Sequence, residues 1–290
     1  MEATFLQIIL LGIIQGAAEL LPVSSSAHVI VAEKLMHLNP ASPDMTFLLV
    51  MLHTGTMFAV VAYFWKSWKE SFFSSSKATG DAAFRIGLAT MLTAFIYLFI
   101  QAILKKTLLS AHPGAEVESL FANLPLIAVS LAVAGLIIVV AGLKPVPVPK
   151  DQPEGPLPPG KAIVIGIVQG FTLPFRGLSR SGSTISAGML LGVPKRVAEE
   201  FSFALAVIVT PPAIARELLR LYKAHSADGA SVHFGPLLLP GVIGMVFSFG
   251  AGLLALQWLS GWLENGKWHY FGFYCFAAAA GVALMAHLGY

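Results

Sequence analysis

The sequence predicts an all-α integral membrane fold, with six transmembrane helices and two re-entrant helical hairpins arranged as an inverted-topology repeat. Three observations predict it. Hydrophobic residues make up 56% of the 290-residue chain and charged residues only 11%, against roughly a quarter charged in soluble globular proteins. Several uncharged stretches reach the roughly 20 residues that a helix needs to cross about 30 Å of hydrocarbon. Two further apolar stretches are broken by proline, and they resemble each other.

The mean hydropathy of +0.77 leaves too little polar surface to face water, so the bilayer is the solvent. A net charge of +3 and a pI near 9.0 suit anionic lipid headgroups, and they argue against nucleic acid as a partner. The apolar start, residues 1–21, lacks a basic leader and contains Glu19, so a removable signal peptide is not expected. The single cysteine, Cys275, excludes a disulfide within the chain and reads as a small buried hydrophobe.

Taken in order, the chain opens with the first broken segment, residues 5–38, interrupted at Pro22-Val23-Ser24. Uncharged runs at 46–65, 86–104 and 121–143 are the first three spans. Residues 144–161, rich in proline and glycine, read as an exposed, extended connector. It separates a first repeat, 1–143, from a second, 162–290, within one membrane domain. The second repeat opens with a broken segment at 162–193, interrupted at Pro174-Phe175-Arg176-Gly177. Residues 201–219 carry Pro211-Pro212 and Arg216, which predicts a kinked span. Runs at 236–258 and 268–290 complete the six.

Neither half of a broken segment is long enough to span. Short helices meeting at membrane depth are the pattern of a re-entrant hairpin, tolerated where the exposed backbone lines a cavity. Gly12-Ile13-Ile14-Gln15-Gly16 aligns with Gly166-Ile167-Val168-Gln169-Gly170, and Ser24-Ser25-Ser26 with Ser179-Arg180-Ser181 one register later. Each copy then holds three full spans, an odd number, which turns the second upside down relative to the first. Alternating the spans gathers most basic residues, among them Lys66, Lys69, Lys195, Arg196 and Lys267, on one side. That side is expected to be cytoplasmic, with both termini outside.

The polar residues concentrate at the two breaks. Gln15 and Glu19, four apart, share a helix face; Pro22 ends that helix, and the serine run can cap the next. His28 follows Ser25 by three residues and lies on the same side of the new helix. In the second break Arg180 stands between Ser179 and Ser181, followed by Gly182, Ser183 and Thr184. Two helix N-termini presented to one spot form a phosphate pocket, and Arg180 supplies a bidentate clamp. Glu19 can hold a hard divalent cation. Ser25 is then placed to attack a phosphoryl group while His28 moves the proton. Each charge at bilayer depth costs about 2.5–3.5 kcal/mol on insertion scales, which argues that Glu19 and Arg180 have a task; a plain ion pair between them is the bland alternative. His53, His269 and His287 read as packing or interfacial residues, and Glu199-Glu200 as a charge pair at a helix start.

Gln15, Glu19, Pro22, the serine run and His28, paired with Gly177, Ser179-Arg180-Ser181 and Thr184, resemble the motifs of the integral membrane undecaprenyl pyrophosphate phosphatases of bacteria. The resemblance runs through nearly the whole chain, including Phe201-Ser202-Phe203. It implies hydrolysis of the terminal phosphate of the C55 polyprenyl pyrophosphate, recycling undecaprenyl phosphate as the carrier of cell-wall precursors. It also implies assistance by Mg²⁺ or Ca²⁺, low-level bacitracin resistance, residence in the bacterial inner membrane, and a site open to the periplasmic side. The partners implied are the lipid substrate and membrane lipid, with room for a homodimer. Carried over by position, Glu19 and Gln15 are the acidic-motif pair and metal ligands, Ser25 the nucleophile and His28 the acid/base. Arg180, Ser179 and Thr184 hold phosphate, with Ser24, Ser26 and Ser181 beside them, and a phospho-histidine route through His28 is the alternative. One departure stands out: the turn before Ser179 is one residue longer than the family pattern and carries an extra Arg176, expected to add a second cationic contact to the pyrophosphate. The rival functional reading is a transporter or flippase that moves a polyprenyl phosphate or another anionic lipid without cleaving it; a structural scaffold is a third.

Overall fold

A computed structural model describes residues 3–39, 42–107, 123–144, 157–227 and 235–289. The described residues form ten α-helices and no strand. They are α1 (Phe5–Leu20), α2 (Ser25–Leu35), α3 (Pro43–Ser71), α4 (Ser76–Thr107), α5 (Leu124–Leu143), α6 (Pro159–Thr172), α7 (Arg180–Leu190), α8 (Lys195–Ala227), α9 (Gly235–Glu264) and α10 (Trp268–His287). In each half of the chain two short helices precede three long ones.

Helix length follows the distribution of charge and proline. Six helices are long and apolar enough to cross a membrane: Asp44–Ser71, Ser76–Thr107, Leu124–Leu143, Lys195–Leu219, Leu237–Glu264 and Trp268–His287. All six expected spans are among them. Several run past the uncharged core into polar turns; α4 starts ten residues before the expected 86, capped by Ser75, whose Oγ accepts from the Ala78 N–H at 3.1 Å. By contrast α2 and α7 have 11 residues each, roughly 16 Å at 1.5 Å per residue, about half the hydrocarbon thickness. Helix α8 continues through Pro211 and Pro212, as membrane helices tolerate proline where neighbouring groups satisfy the freed carbonyls. Most of the expected connector, 145–156, lies outside the described residues. Helix α6 begins three residues before the expected 162, because Pro159 sits in its first turn, where proline's fixed φ suits a helix and its absent N–H is not missed.

The chain divides into two compact units. The first comprises Met1–Leu20, Ser25–Tyr63 and Ala206–Trp258; the second comprises Leu21–Ser24, Phe64–Leu205 and Leu259–Tyr290. In the first, Ile8 and Leu11 of α1, Val29 of α2, and Met45, Leu48 and Leu52 of α3 share one apolar cluster. Helix α1 also lies backbone to backbone on α9: a Cβ on Gly16 would stand 2.4 Å from the Ser248 carbonyl oxygen, and one on Gly12 2.9 Å from that of Gly244. The second unit repeats the device with the other copy of the motif. There a Cβ on Gly166 of α6 would stand 2.5 Å from the Ala89 carbonyl oxygen of α4, and one on Gly170 2.8 Å from that of Thr93. Thr93 Oγ1 lies 2.9 Å from the Gly166 carbonyl oxygen and accepts from Gln169 Nε2 at 3.2 Å, tying α6 to α4 further. Helices α5 and α10 pack closely at Gly135 and Gly272. Cys275 is fully buried, its thiol 3.4 Å from the Pro22 carbonyl oxygen. Large apolar side chains remain exposed along the outer faces, Phe84, Met91, Phe95 and Phe99 on α4 and Val129, Leu136 and Val140 on α5 among them, as expected where lipid is the solvent.

Candidate functional site

The break after α1 is built from local chemistry. Proline at position 22 cannot continue the helix, the Val23 N–H turns back to the Leu21 carbonyl oxygen at 2.8 Å, and Ser24 takes φ +69° before α2 starts at Ser25. Within the first unit, Glu19 Oε2 is the common partner of the polar side chains. It accepts from Ser25 Oγ at 2.5 Å and from Gln15 Nε2 at 3.3 Å, and it lies 3.9 Å from His53 Nε2. Gln15 is buried, whereas the side chains of Glu19 and His53 are 19% and 41% exposed, so the carboxylate is reachable from outside. His53 Nδ1 lies 2.8 Å from the Leu49 carbonyl oxygen. A carbonyl only accepts, so Nδ1 carries the proton and Nε2 faces Glu19. Ser26 and His28 occupy the first turn of α2 and are half-buried; Ser24 is buried.

The second break belongs to the other unit. The chain leaves α6 through bonds from the Phe175 N–H to the Thr172 carbonyl oxygen at 3.2 Å and from the Leu178 N–H to that of Phe175 at 3.1 Å. Gly177 takes φ +104°, and a Cβ there would stand 2.5 Å from the Ile127 carbonyl oxygen, so only glycine fits the lengthened turn. Arg176 is half-buried beside it. Ser179 caps α7, its Oγ accepting from the Gly182 N–H at 3.1 Å, and Arg180, the first helical residue, is half-buried. Ser181, Ser183 and Thr184 are buried. Thr184 Oγ1 donates to the Arg180 carbonyl oxygen at 2.8 Å and lies 2.6 Å from Ser202 Oγ, which links α7 to α8. Ser183 Oγ has no hydrogen-bond partner among the described residues.

The structure thus places Gln15, Glu19 and Ser25 together in one unit, and Ser179, Arg180, Ser181 and Thr184 along the first turn of α7 in the other. His53, expected to pack or to lie at the interface, also stands beside Glu19; its one sequence signal is a polar ring in an otherwise uncharged span. Glu199 and Glu200 do not stand at the helix start expected for them. Because α8 begins at Lys195, both lie in its second turn and are buried. Glu199 accepts from Ser260 Oγ at 2.5 Å, and Glu200 accepts from Arg196 Nε at 3.0 Å and from Ser67.

Among the described residues no three His, Cys, Asp or Glu side chains gather to hold a metal ion. Glu19 nevertheless suits a hard cation through its carboxylate, and Gln15, which turns its Nε2 toward Glu19 at 3.3 Å, would offer its amide oxygen once the amide is rotated. Mg²⁺ in particular is held by one or two carboxylates, with substrate phosphates and water completing its shell.

The fold and these residues define a multi-pass helical membrane protein with a serine–carboxylate pair at a helix break. The family model described as "Bacitracin resistance protein BacA" matches residues 8–281. The chain is 50% identical over 283 residues to Undecaprenyl-diphosphatase 2 of Acinetobacter baylyi, covering 97% of this chain and 98% of that one. It is 31% identical over 271 residues to the undecaprenyl-diphosphatase of Desulfitobacterium hafniense, covering 92% and 90% of the two chains. With that of Rhodopirellula baltica it shares 30% identity over 280 residues, 97% of each chain. The chain belongs to the BacA family.

Proposed function

We infer that this protein hydrolyses undecaprenyl pyrophosphate to undecaprenyl phosphate and inorganic phosphate, the activity for which its relatives are named. The observation that carries the reading is the 2.5 Å bond from Ser25 Oγ to Glu19 Oε2, a hydroxyl nucleophile already donating its proton toward a carboxylate. Ser25 Oγ attacks the terminal phosphorus, and the bond from that phosphorus to the oxygen of the departing undecaprenyl phosphate breaks. The serine proton passes to Glu19, and His28, three residues along α2, protonates the leaving oxygen. Water then attacks the phosphoserine, releases inorganic phosphate and restores the hydroxyl. Arg180 and the capped N-terminus of α7 hold phosphate oxygens, with Ser179, Ser181 and Thr184 framing that turn, Arg176 adding a second cation, and Ser24 and Ser26 flanking the nucleophile.

A divalent cation, Mg²⁺ or Ca²⁺, would be held by Glu19 and Gln15, where its chemistry is to neutralise charge on the pyrophosphate. The short pairs α1/α2 and α6/α7 are re-entrant hairpins of an inverted repeat. Support comes from the two glycine motifs, each packed on a long helix of the opposite half, α1 on α9 and α6 on α4. The protein lies in the bacterial inner membrane with the site open to the periplasm. There it recycles the carrier for peptidoglycan synthesis and raises bacitracin resistance; it acts as a monomer or as a homodimer.

Phosphate release from undecaprenyl pyrophosphate in detergent with Mg²⁺ tests the reading. The wild type is expected to release phosphate, and Ser25→Ala and Arg180→Ala to lose about 10²–10⁴ of that rate. Turnover that survives in Ser25→Ala but not in His28→Ala assigns the nucleophile to His28. A folded wild type that releases none in the presence of metal overturns hydrolysis in favour of a carrier.

A further inference from the structure

We propose that a cavity in the second unit, lined by none of the residues of the helix breaks, binds the phosphodiester headgroup of a membrane phospholipid. The cavity, of about 630 Å³, lies among the end of α3, the start of α4 and the start of α8. One wall is charge-matched: Glu200 accepts from Arg196 Nε at 3.0 Å and from Ser67, and Arg196 Nη2 donates to Ser67 Oγ at 3.2 Å.

The start of α4 adds Arg85 to the lining, and its guanidinium is poorly served. Its Nη2 stands 3.7 Å from Asp81 Oδ2, beyond hydrogen-bond reach, and its side chain is only 14% exposed. Its Nε is shielded from solvent and has no hydrogen-bond partner among the described residues. Burying a charged donor without an acceptor is unfavourable, and the guanidinium fork is shaped for two oxygens of one phosphate. Lys77, eight residues earlier on the same helix, brings a second cation to the lining, and Glu70 offers a carboxylate to the ammonium of an ethanolamine headgroup. A soluble phosphate would use the first two groups alone. What assigns the site to a lipid is the surface beside it: Phe84, adjacent to Arg85, begins an exposed stripe with Met91 and Phe95. That stripe runs along a helix able to cross the membrane and gives acyl chains an apolar track leading away from the headgroup.

The test uses the full-length protein, purified in detergent and stripped of lipid, with phosphatidylethanolamine retention read by native mass spectrometry. Wild type is expected to retain one lipid molecule, and Arg85→Gln to bind it about tenfold more weakly, the factor that loss of one charged hydrogen bond of about 1.4 kcal/mol produces. Phosphate release by Arg85→Gln is expected at the wild-type rate, which reports that the variant is folded. Lys77→Glu, at an exposed position, carries the test if Arg85→Gln does not fold, and is also expected to bind more weakly. Retention unchanged in the folded variants overturns the proposal. So does diacylglycerol held as tightly as the phospholipid, which would leave an acyl-chain site only. Displacement of the phospholipid by inorganic phosphate reassigns the cavity to a soluble anion and overturns the lipid assignment.

Discussion

Ser24 holds a backbone conformation, φ +69°, that non-glycine residues adopt at a cost of about 1–3 kcal/mol. It does so one residue before the proposed nucleophile, so the strain is localised where α2 must start. Ser24→Gly is expected to keep the wild-type thermal midpoint in detergent. Ser24→Val, branched at Cβ, is expected to lose about 1–3 kcal/mol and to lower turnover with it; equal midpoints would show that the turn relaxes freely. At His53 the geometry predicts an ordering of variants: Nε2 stands 3.9 Å from Glu19, and when the ring is protonated its charge attracts the carboxylate there. Phosphate release should fall about tenfold in His53→Leu and less in His53→Gln, which keeps polar atoms there. Identical rates would return His53 to a packing role. The approach of Gln15 to Glu19 was legible in the sequence because local helix geometry alone brings residues four apart onto one face. His53 was not, because its approach to Glu19 depends on α3 packing beside α1.

At the scale of elements, the repeated glycine motif has a use that alignment by itself does not disclose. Gly16 and Gly166 allow α1 and α6 to touch the backbones of α9 and α4, the close small-residue contact that holds helices together where no hydrophobic driving force exists between them. Gly166→Ala places its Cβ against a backbone oxygen and is expected to lower stability by about 1–3 kcal/mol, read as the thermal midpoint of phosphate release. Gly80→Ala, on α4 with nothing within 4 Å, is expected to leave stability unchanged or to raise it by up to about 1 kcal/mol through helix propensity. A comparable loss in both variants would locate the effect in helix propensity and deny the close contact. Gln169, aligned with Gln15, binds Thr93, so the same residue type supports the proposed chemistry in one copy and packing in the other. Which copy does which is a property of the neighbours, α4 for one and Glu19 for the other.

For the whole molecule, the proposed re-entrant pairs make a topological statement that can be read by chemical labelling. If α6 and α7 return to the side they entered from, then α8 and α9 bring residue 265 back to the side of residue 74. In a Cys275→Ala background, Ser74→Cys and Asn265→Cys are expected to react with a membrane-impermeant maleimide from the same face of the membrane, and Lys106→Cys from the other. Opposite faces for 74 and 265 would mean that the pair crosses the bilayer. In the native protein Cys275 is fully buried and is expected to stay unlabelled until denaturant is added.

Composition and hydropathy by themselves determined that the chain lives in a bilayer, where its six spans fall and where its two breaks lie. Those properties are set by residues near one another in sequence, through span length, proline and the cost of burying charge. Tertiary structure alone decided that His53 stands beside Glu19, that Glu199 and Glu200 are buried on serine hydroxyls, that Thr184 ties α7 to α8, and that Arg85 looks into a cavity. Each of these brings together side chains on different helices. Contacts between such helices are selected by side-chain shape and backbone approach, which no local period in the sequence encodes.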